Sequence, residues 1–199
     1  MGDSHSLILS TDLSSFFREE ISGARTELNI ELSDLTEFYL VNLLCEYSSR
    51  DNPVSTPGEE PLALIYKRAM EAPLEERLRI LKNLGDLALY VSGFFADFVE
   101  RSMVDLDFYV SMGGSAYSSL SDLVGAKPRG ETFAEVYLQL ARRFTELVDL
   151  LTQISDRSRT KVDDDAELLK LYDRWVRTKS DRVHRLLLER GLIPAEGLP

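Results

Sequence analysis

Residues 133–154 read FAEVYLQLARRFTELVDLLTQI. Within them Phe133, Tyr137, Leu140, Phe144, Leu147, Leu151 and Ile154 follow one another by alternating steps of four and three. That spacing gathers side chains on one side of an α-helix. A seam sustained over three heptads needs a partner helix lying nearly parallel or antiparallel to it. Val136, Ala141 and Val148 widen the stripe, which suits the core of a bundle better than an isolated two-stranded coil. The partner helix can come from the same chain or from a second copy; the spacing serves both.

Outward from this seam, start and stop signals divide the chain into about seven helices. Residues 1–10 read as a flexible start, and Thr11 or Asp12 caps a helix to about Glu27. Ser33 opens a second, on which Leu35, Phe38, Tyr39, Leu43 and Tyr47 recur at helical spacing. Residues 49–60, with Pro53, Pro57 and Gly58, read as a loop. Pro61 and Pro73 suit the first turns of a short third helix and a long fourth one, to about Glu71 and Arg101. Proline costs nothing there because its missing N–H would be unpaired anyway. A fifth helix covers about 104–124, and 125–131 is a loop. Thr132 with Glu135 makes a capping box for the sixth, expected to reach Arg157. Asp164 with Glu167 caps a last helix to about Arg190, before Gly191 and Pro194 and a tail over 192–199. No window alternates strictly enough for a strand. The reading is a single all-α domain, a helical bundle with two or three long central helices.

Composition narrows the function classes. The chain has 199 residues, 23 basic against 34 acidic side chains, and a net charge of −11. A hydrophobic fraction of 44% supports a sizeable core. One cysteine, Cys45, excludes a disulfide scaffold and reads as a buried small hydrophobe. Two histidines, His5 and His184, argue against a histidine-built metal site and disfavour a hydrolase triad. The longest apolar stretch, Leu87 to Val99, is broken by Ser92, Gly93 and Asp97 and is too short for a membrane span. With no basic start and no signal-peptide core, a cytoplasmic location is expected. The acidic excess disfavours nucleic acid.

The candidate site lies on the fourth and fifth helices. Asp86, Tyr90, Gly93 and Asp97 form one stripe; Asp105, Tyr109, Gly113 and Tyr117 form another. Facing each other, they would line a ligand pocket, with carboxylates to hold a cation or proton, tyrosines to donate and glycines to make room. The alternative is that both stripes are solvated edges of core helices. Gly113 and Gly114 together cost roughly 2 kcal/mol of helix propensity. Close approach of another helix, a kink, or a restart at Ser115 with an anion on its free N–H groups would each account for them. Asp163, Asp164, Asp165 and Glu167 are superficially similar to the aspartate-rich motifs of isoprenoid-processing enzymes. Glu27, Glu31 and Asp34 would be similar to the carboxylate sets of all-α nucleotide pyrophosphohydrolases if they shared a helix. Neither set has the matching partner motif, and helix capping explains the aspartate run.

Charge is unevenly spread. Residues 1–126 hold 9 basic and 21 acidic side chains, and residues 127–199 hold 14 and 13. Near the end Lys170, Arg174, Arg177, Lys179, Arg182, Arg185 and Arg190 outnumber Asp173, Asp181 and Glu189. This basic run is expected to pair with the acidic helices, in the fold or in a dimer. Arg174, Arg177 and Arg185 are the candidates for an anion or a partner, and Trp175 for an anchor to the core. The expected function is a cytoplasmic interaction module of regulatory or scaffold character. It would act as a homodimer or by docking another protein, without catalysis, cofactor, metal or membrane. The alternative is a small-ligand-binding protein, or a carboxylate- and magnesium-dependent enzyme, with its pocket between the fourth and fifth helices.

Overall fold

The structure, a computed structural model, describes residues 3–48, 60–95, 105–178 and 187, with side chains described for 13–158 within those spans and at 168, 169, 172 and 187. Among the described residues there are seven helices and no strand: α1 Asp3–Glu27, α2 Asp34–Ser48, α3 Leu62–Glu71, α4 Leu74–Phe94, α5 Leu106–Gly125, α6 Glu131–Arg142 and α7 Phe144–Thr178. The all-α bundle is as the periodicity predicts. Two compact units are distinguished, Met1–Ser155 and Asp156–Pro199. The expected loop core at 49–59 and the tail at 192–199 lie outside the described residues.

Several boundaries follow their local signals. Ser33 caps α2: its Oγ accepts the backbone N–H of Thr36 at 3.2 Å. Pro61 and Pro73 stand immediately before α3 and α4. The end of α1 is a Schellman turn, with Ile30 N–H donating to Arg25 O at 2.9 Å and Asn29 N–H to Thr26 O at 3.3 Å. Asn29 takes the left-handed conformation the turn needs, at φ 54°. This turn separates Glu27 from Glu31 and Asp34, so those carboxylates do not share a helix.

Other boundaries correct the sequence reading. Helix α1 begins at Asp3, not at a cap on Thr11 or Asp12. The stretch 3–10 holds no proline or glycine, so nothing in it stops a helix. Helix α4 ends at Phe94, short of Arg101, and Phe95 has left helical geometry at φ −121°, ψ 37°. Its last carbonyls are taken by hydroxyls of α7: Thr152 Oγ1 donates to Gly93 O at 3.1 Å and Ser155 Oγ to Phe94 O at 3.2 Å. The expected capping box at Thr132 is not formed, because the N-cap position of α6 lies two residues earlier, at Gly130. The expected sixth helix breaks at Arg143, at φ −104°, ψ 19°. Its second half continues without interruption through Asp163, Asp164 and Asp165 to Thr178. Those aspartates therefore lie in the interior of a helix and not at its start.

The core of the first unit is built around α4. Ile80, Leu81, Leu84, Ala88, Leu89 and Val91 are buried, and α2, α3 and α5 pack against this helix. The seam packs within the chain: Leu140, Phe144, Leu147, Leu151 and Ile154 are all buried. Phe133, in the first turn of α6, is 65% exposed and does not join it. Helix α2 is also rotated from its expected setting. Its inward side is Thr36, Leu40, Leu43, Leu44 and Tyr47, while Leu35 and Phe38 face out.

Candidate functional site

Glycine decides where the aromatic rings go. A Cβ on Gly85 would lie 2.6 Å from the Tyr117 ring, so α5 can lay that ring on α4 only at a residue without a side chain. A Cβ on Gly113 would clash with the edge of the Phe144 ring and lie 2.9 Å from the Ala88 Cβ. A Cβ on Gly93 would meet the Leu151 side chain. At Gly114 the nearest atom is Ala141 O at 3.8 Å, ordinary contact with α6. Helix α5 passes through Gly113 and Gly114 unbroken, so close approach of Phe144 and Ala88 explains Gly113, no close neighbour requires Gly114, and no helix restarts at Ser115.

Tyr117, seated by Gly85, is fully buried, and its hydroxyl donates to Asp86 Oδ1 at 2.7 Å. Tyr39 of α2 donates to the same oxygen at 2.5 Å. Lys82, one turn before Asp86 on α4, donates to Oδ2 at 2.6 Å. One carboxylate thus ties α2, α4 and α5 together, and both its oxygens are engaged. Tyr137 of α6 completes the cluster, its ring 5.7 Å from Tyr39 edge-on and 6.2 Å from Tyr117 stacked. The Lys82 ammonium also lies 5.5 Å from the centre of the Tyr39 ring. Asp86 is 2% exposed. A charge so deep is tolerated because three donors, one of them cationic, replace its water.

The electrostatics follow from that carboxylate. Burial, then the negative charge of Asp86, pushes the Tyr39 and Tyr117 hydroxyls well above the usual tyrosine range. Burial, Lys82 and Asp86 all act on Tyr137, and the net direction is also up. Burial opposes the charge on Lys82, but Asp86 outweighs it and holds the ammonium above the ordinary lysine value. Both tyrosines therefore stay protonated as donors and the lysine stays charged. The cluster is a pin that fixes helix positions; no member is poised to give up a proton near neutrality.

The two expected stripes thus come together only in part. Asp86, Tyr90, Gly93, Tyr109, Gly113 and Tyr117 are all inside the protein and not on solvated edges. Asp86 and Tyr117 bond directly. Tyr90 belongs to a second aromatic cluster, 4.8 Å from Tyr47 and 5.2 Å from Phe94. Asp105 is exposed ahead of α5 and makes no side-chain cap. Cys45 is only partly buried, and burial raises its thiol. Asp97, His184 and Arg185 lie outside the described residues, as do the side chains of His5, Arg174, Trp175 and Arg177. Among the described residues no group of three metal-ligating side chains converges, and no helix is long and apolar enough to cross a membrane.

Sequence reasoning missed Tyr39, Lys82 and Tyr137 as partners of Asp86. Lys82 carried a readable signal, the step of four to Asp86. It also missed the outer side of α2. There Leu35 and Phe38 are 52% and 58% exposed, and with Asn42 and Glu46 they follow a helical stripe in steps of three, four and four. Successive helix residues point about 100° apart, so a Tyr39 turned in to Asp86 leaves Phe38 facing out. Compared with family models, curated proteins and solved structures, the chain has no match.

Proposed function

We propose that the protein is a non-catalytic helical interaction module that self-associates through the outer side of α2. The observation that carries this reading is the exposure of Leu35 and Phe38 on a helix whose other large apolar side chains are buried or packed on the core. Covering such side chains is favourable by roughly 1.5–3 kcal/mol each when burial is complete. Grouped exposure of this kind marks docking surfaces. Phe133, 65% exposed, adds a third large apolar side chain on α6, which packs beside α2. The seam from Leu140 to Ile154 is already buried and leaves little for a second copy to cover.

The alternative, a ligand pocket or carboxylate-dependent active site between α4 and α5, draws no support from the residues meant to form it. Asp86 is engaged by three protein donors, and the Tyr117 and Phe144 rings lie over Gly85 and Gly113.

Sedimentation velocity over a concentration series tests the proposal, with the full chain compared to a Leu35→Ser/Phe38→Ser variant. The wild type should associate as concentration rises. The variant should stay monomeric with an unchanged melting temperature. A wild type that is monomeric into the high micromolar range overturns the proposal, as does a variant that associates equally well.

A further inference from the structure

Resting on the reading of α2's outer side as a docking surface, we infer a partner for it besides a second copy: a helix of another protein with lysine and arginine bordering an apolar side. The observation behind this is the one-sided charge around Leu35 and Phe38. From Thr26 to Ser48 the chain holds five acidic residues and no lysine or arginine. Glu31, Asp34 and Glu46 among them are exposed, as Leu35 and Phe38 are. The apolar pair thus has acid at both ends, with Asp34 next to Leu35 and Glu46 about two turns beyond Phe38. Helix α6 continues the pattern. Its Gln139 Oε1 accepts the Ser33 backbone N–H at 3.1 Å, and its Tyr137 ring lies 5.7 Å from that of Tyr39, so α6 runs beside α2. Exposed Phe133 stands there between exposed Glu131 and Glu135, and α6 has no cation before Arg142. Two cations approach α2 from neighbouring helices, and both are engaged. Arg25 of α1 holds Glu37 at 2.7 Å, and Lys82 of α4, over the Tyr39 ring, holds Asp86 at 2.6 Å.

The surface is therefore apolar at its centre and acidic at its border, and each property selects for something. The exposed apolar side chains favour a partner helix with its own apolar side chains three and four residues apart, which can pack along α2. The acidic border favours positive charge, which speeds encounter and rejects partners of like sign. Nucleic acid and anionic lipid carry the wrong sign. A second copy meeting α2 with α2 answers the first requirement only, because it brings the same acids. A basic amphipathic helix answers both. It covers the side chains that self-association covers, so the two occupants exclude each other.

Fluorescence anisotropy of the full chain tests this with a labelled leucine–lysine peptide, about 18 residues long, whose leucines fall on one side of a helix. A scrambled peptide of the same composition and a leucine–glutamate version are the comparisons. The leucine–lysine helix should bind at least about tenfold more tightly than either. Its affinity should fall at least about tenfold from low to high salt. It should fall by a similar factor in Leu35→Ser/Phe38→Ser and in Glu31→Lys/Asp34→Lys, with circular dichroism confirming that both variants fold. In sedimentation velocity the peptide should return associated wild type to monomers. Equal binding of the scrambled peptide, or binding unchanged in either variant, overturns the inference. The peptide comparison needs no variant, so a variant that fails to fold does not shelter it. Self-association lost in Leu35→Ser/Phe38→Ser, with no peptide bound by the wild type, overturns the inference and leaves the self-association reading standing. A wild type that is monomeric yet binds the peptide through Leu35 and Phe38 supports the inference and overturns self-association.

Discussion

Gly113→Ala and Gly114→Ala should move stability in opposite directions, although the two residues are neighbours on one helix. Alanine in place of either gains about 1 kcal/mol of helix propensity. At Gly114 nothing opposes that gain, since the new methyl group would sit 3.8 Å from Ala141 O. At Gly113 the methyl would overlap the Phe144 ring and crowd the Ala88 Cβ at 2.9 Å. Phe144 is 2% exposed and Ala88 wholly buried, so neither can swing into solvent. Overpacking of this kind costs about 1–3 kcal/mol. With two immovable neighbours the upper end applies, leaving a net loss of about 2 kcal/mol. The variants should then differ by about 3 kcal/mol, or about 6–12 °C in melting temperature for a chain of this size. Urea titration and thermal melts read this directly. Equal stabilities, or a Gly113→Ala protein more stable than wild type, would refute the packing of Phe144 on α5.

Removal of the buried carboxylate should destabilise the fold. Asp86→Ala leaves two tyrosine hydroxyls and an ammonium without their acceptor and should cost about 3–5 kcal/mol. Asp86→Asn keeps one acceptor, and the Lys82 side chain is 37% exposed and can regain water; the loss should be about 2–3 kcal/mol. A stable Asp86→Asn protein would contradict the pin and favour a functional carboxylate. High pH offers an independent check. Folding raises the Tyr39, Tyr117 and Lys82 values. Their contribution is therefore complete below the unfolded values, about pH 10 for all three, and falls away as pH rises beyond that. Ultraviolet titration should show the buried tyrosines ionising together with loss of helix, at a pH above that of free tyrosine. Ionisation at the ordinary value with helix intact would contradict their burial beside Asp86.

Much of the architecture is local and was legible. Apolar spacing and the caps at Ser33, Pro61 and Pro73 located α2, α3 and the start of α4. Among the described residues the helix count agreed for partly compensating reasons. One expected helix divides at Arg143, and its second half fuses with the next through the aspartate run. Capping residues are equally compatible with helix interiors when the flanking sequence holds no breaker, so a cap signal alone does not end a helix.

The amino-acid sequence by itself determined the all-α class, the central place of the fourth helix, and the presence of aspartate, tyrosine and glycine at regular intervals on two adjacent helices. Those properties depend on residue type and on separations of three and four. Tertiary structure decided that Asp86 is buried and that Tyr39 and Tyr117 answer it from 47 and 31 residues away. It decided that Gly113 admits a ring where Gly114 does not. It also decided that Phe38 faces out because Tyr39 faces in. Each of these depends on which helix lies opposite, and the periodicity of one helix does not carry that information.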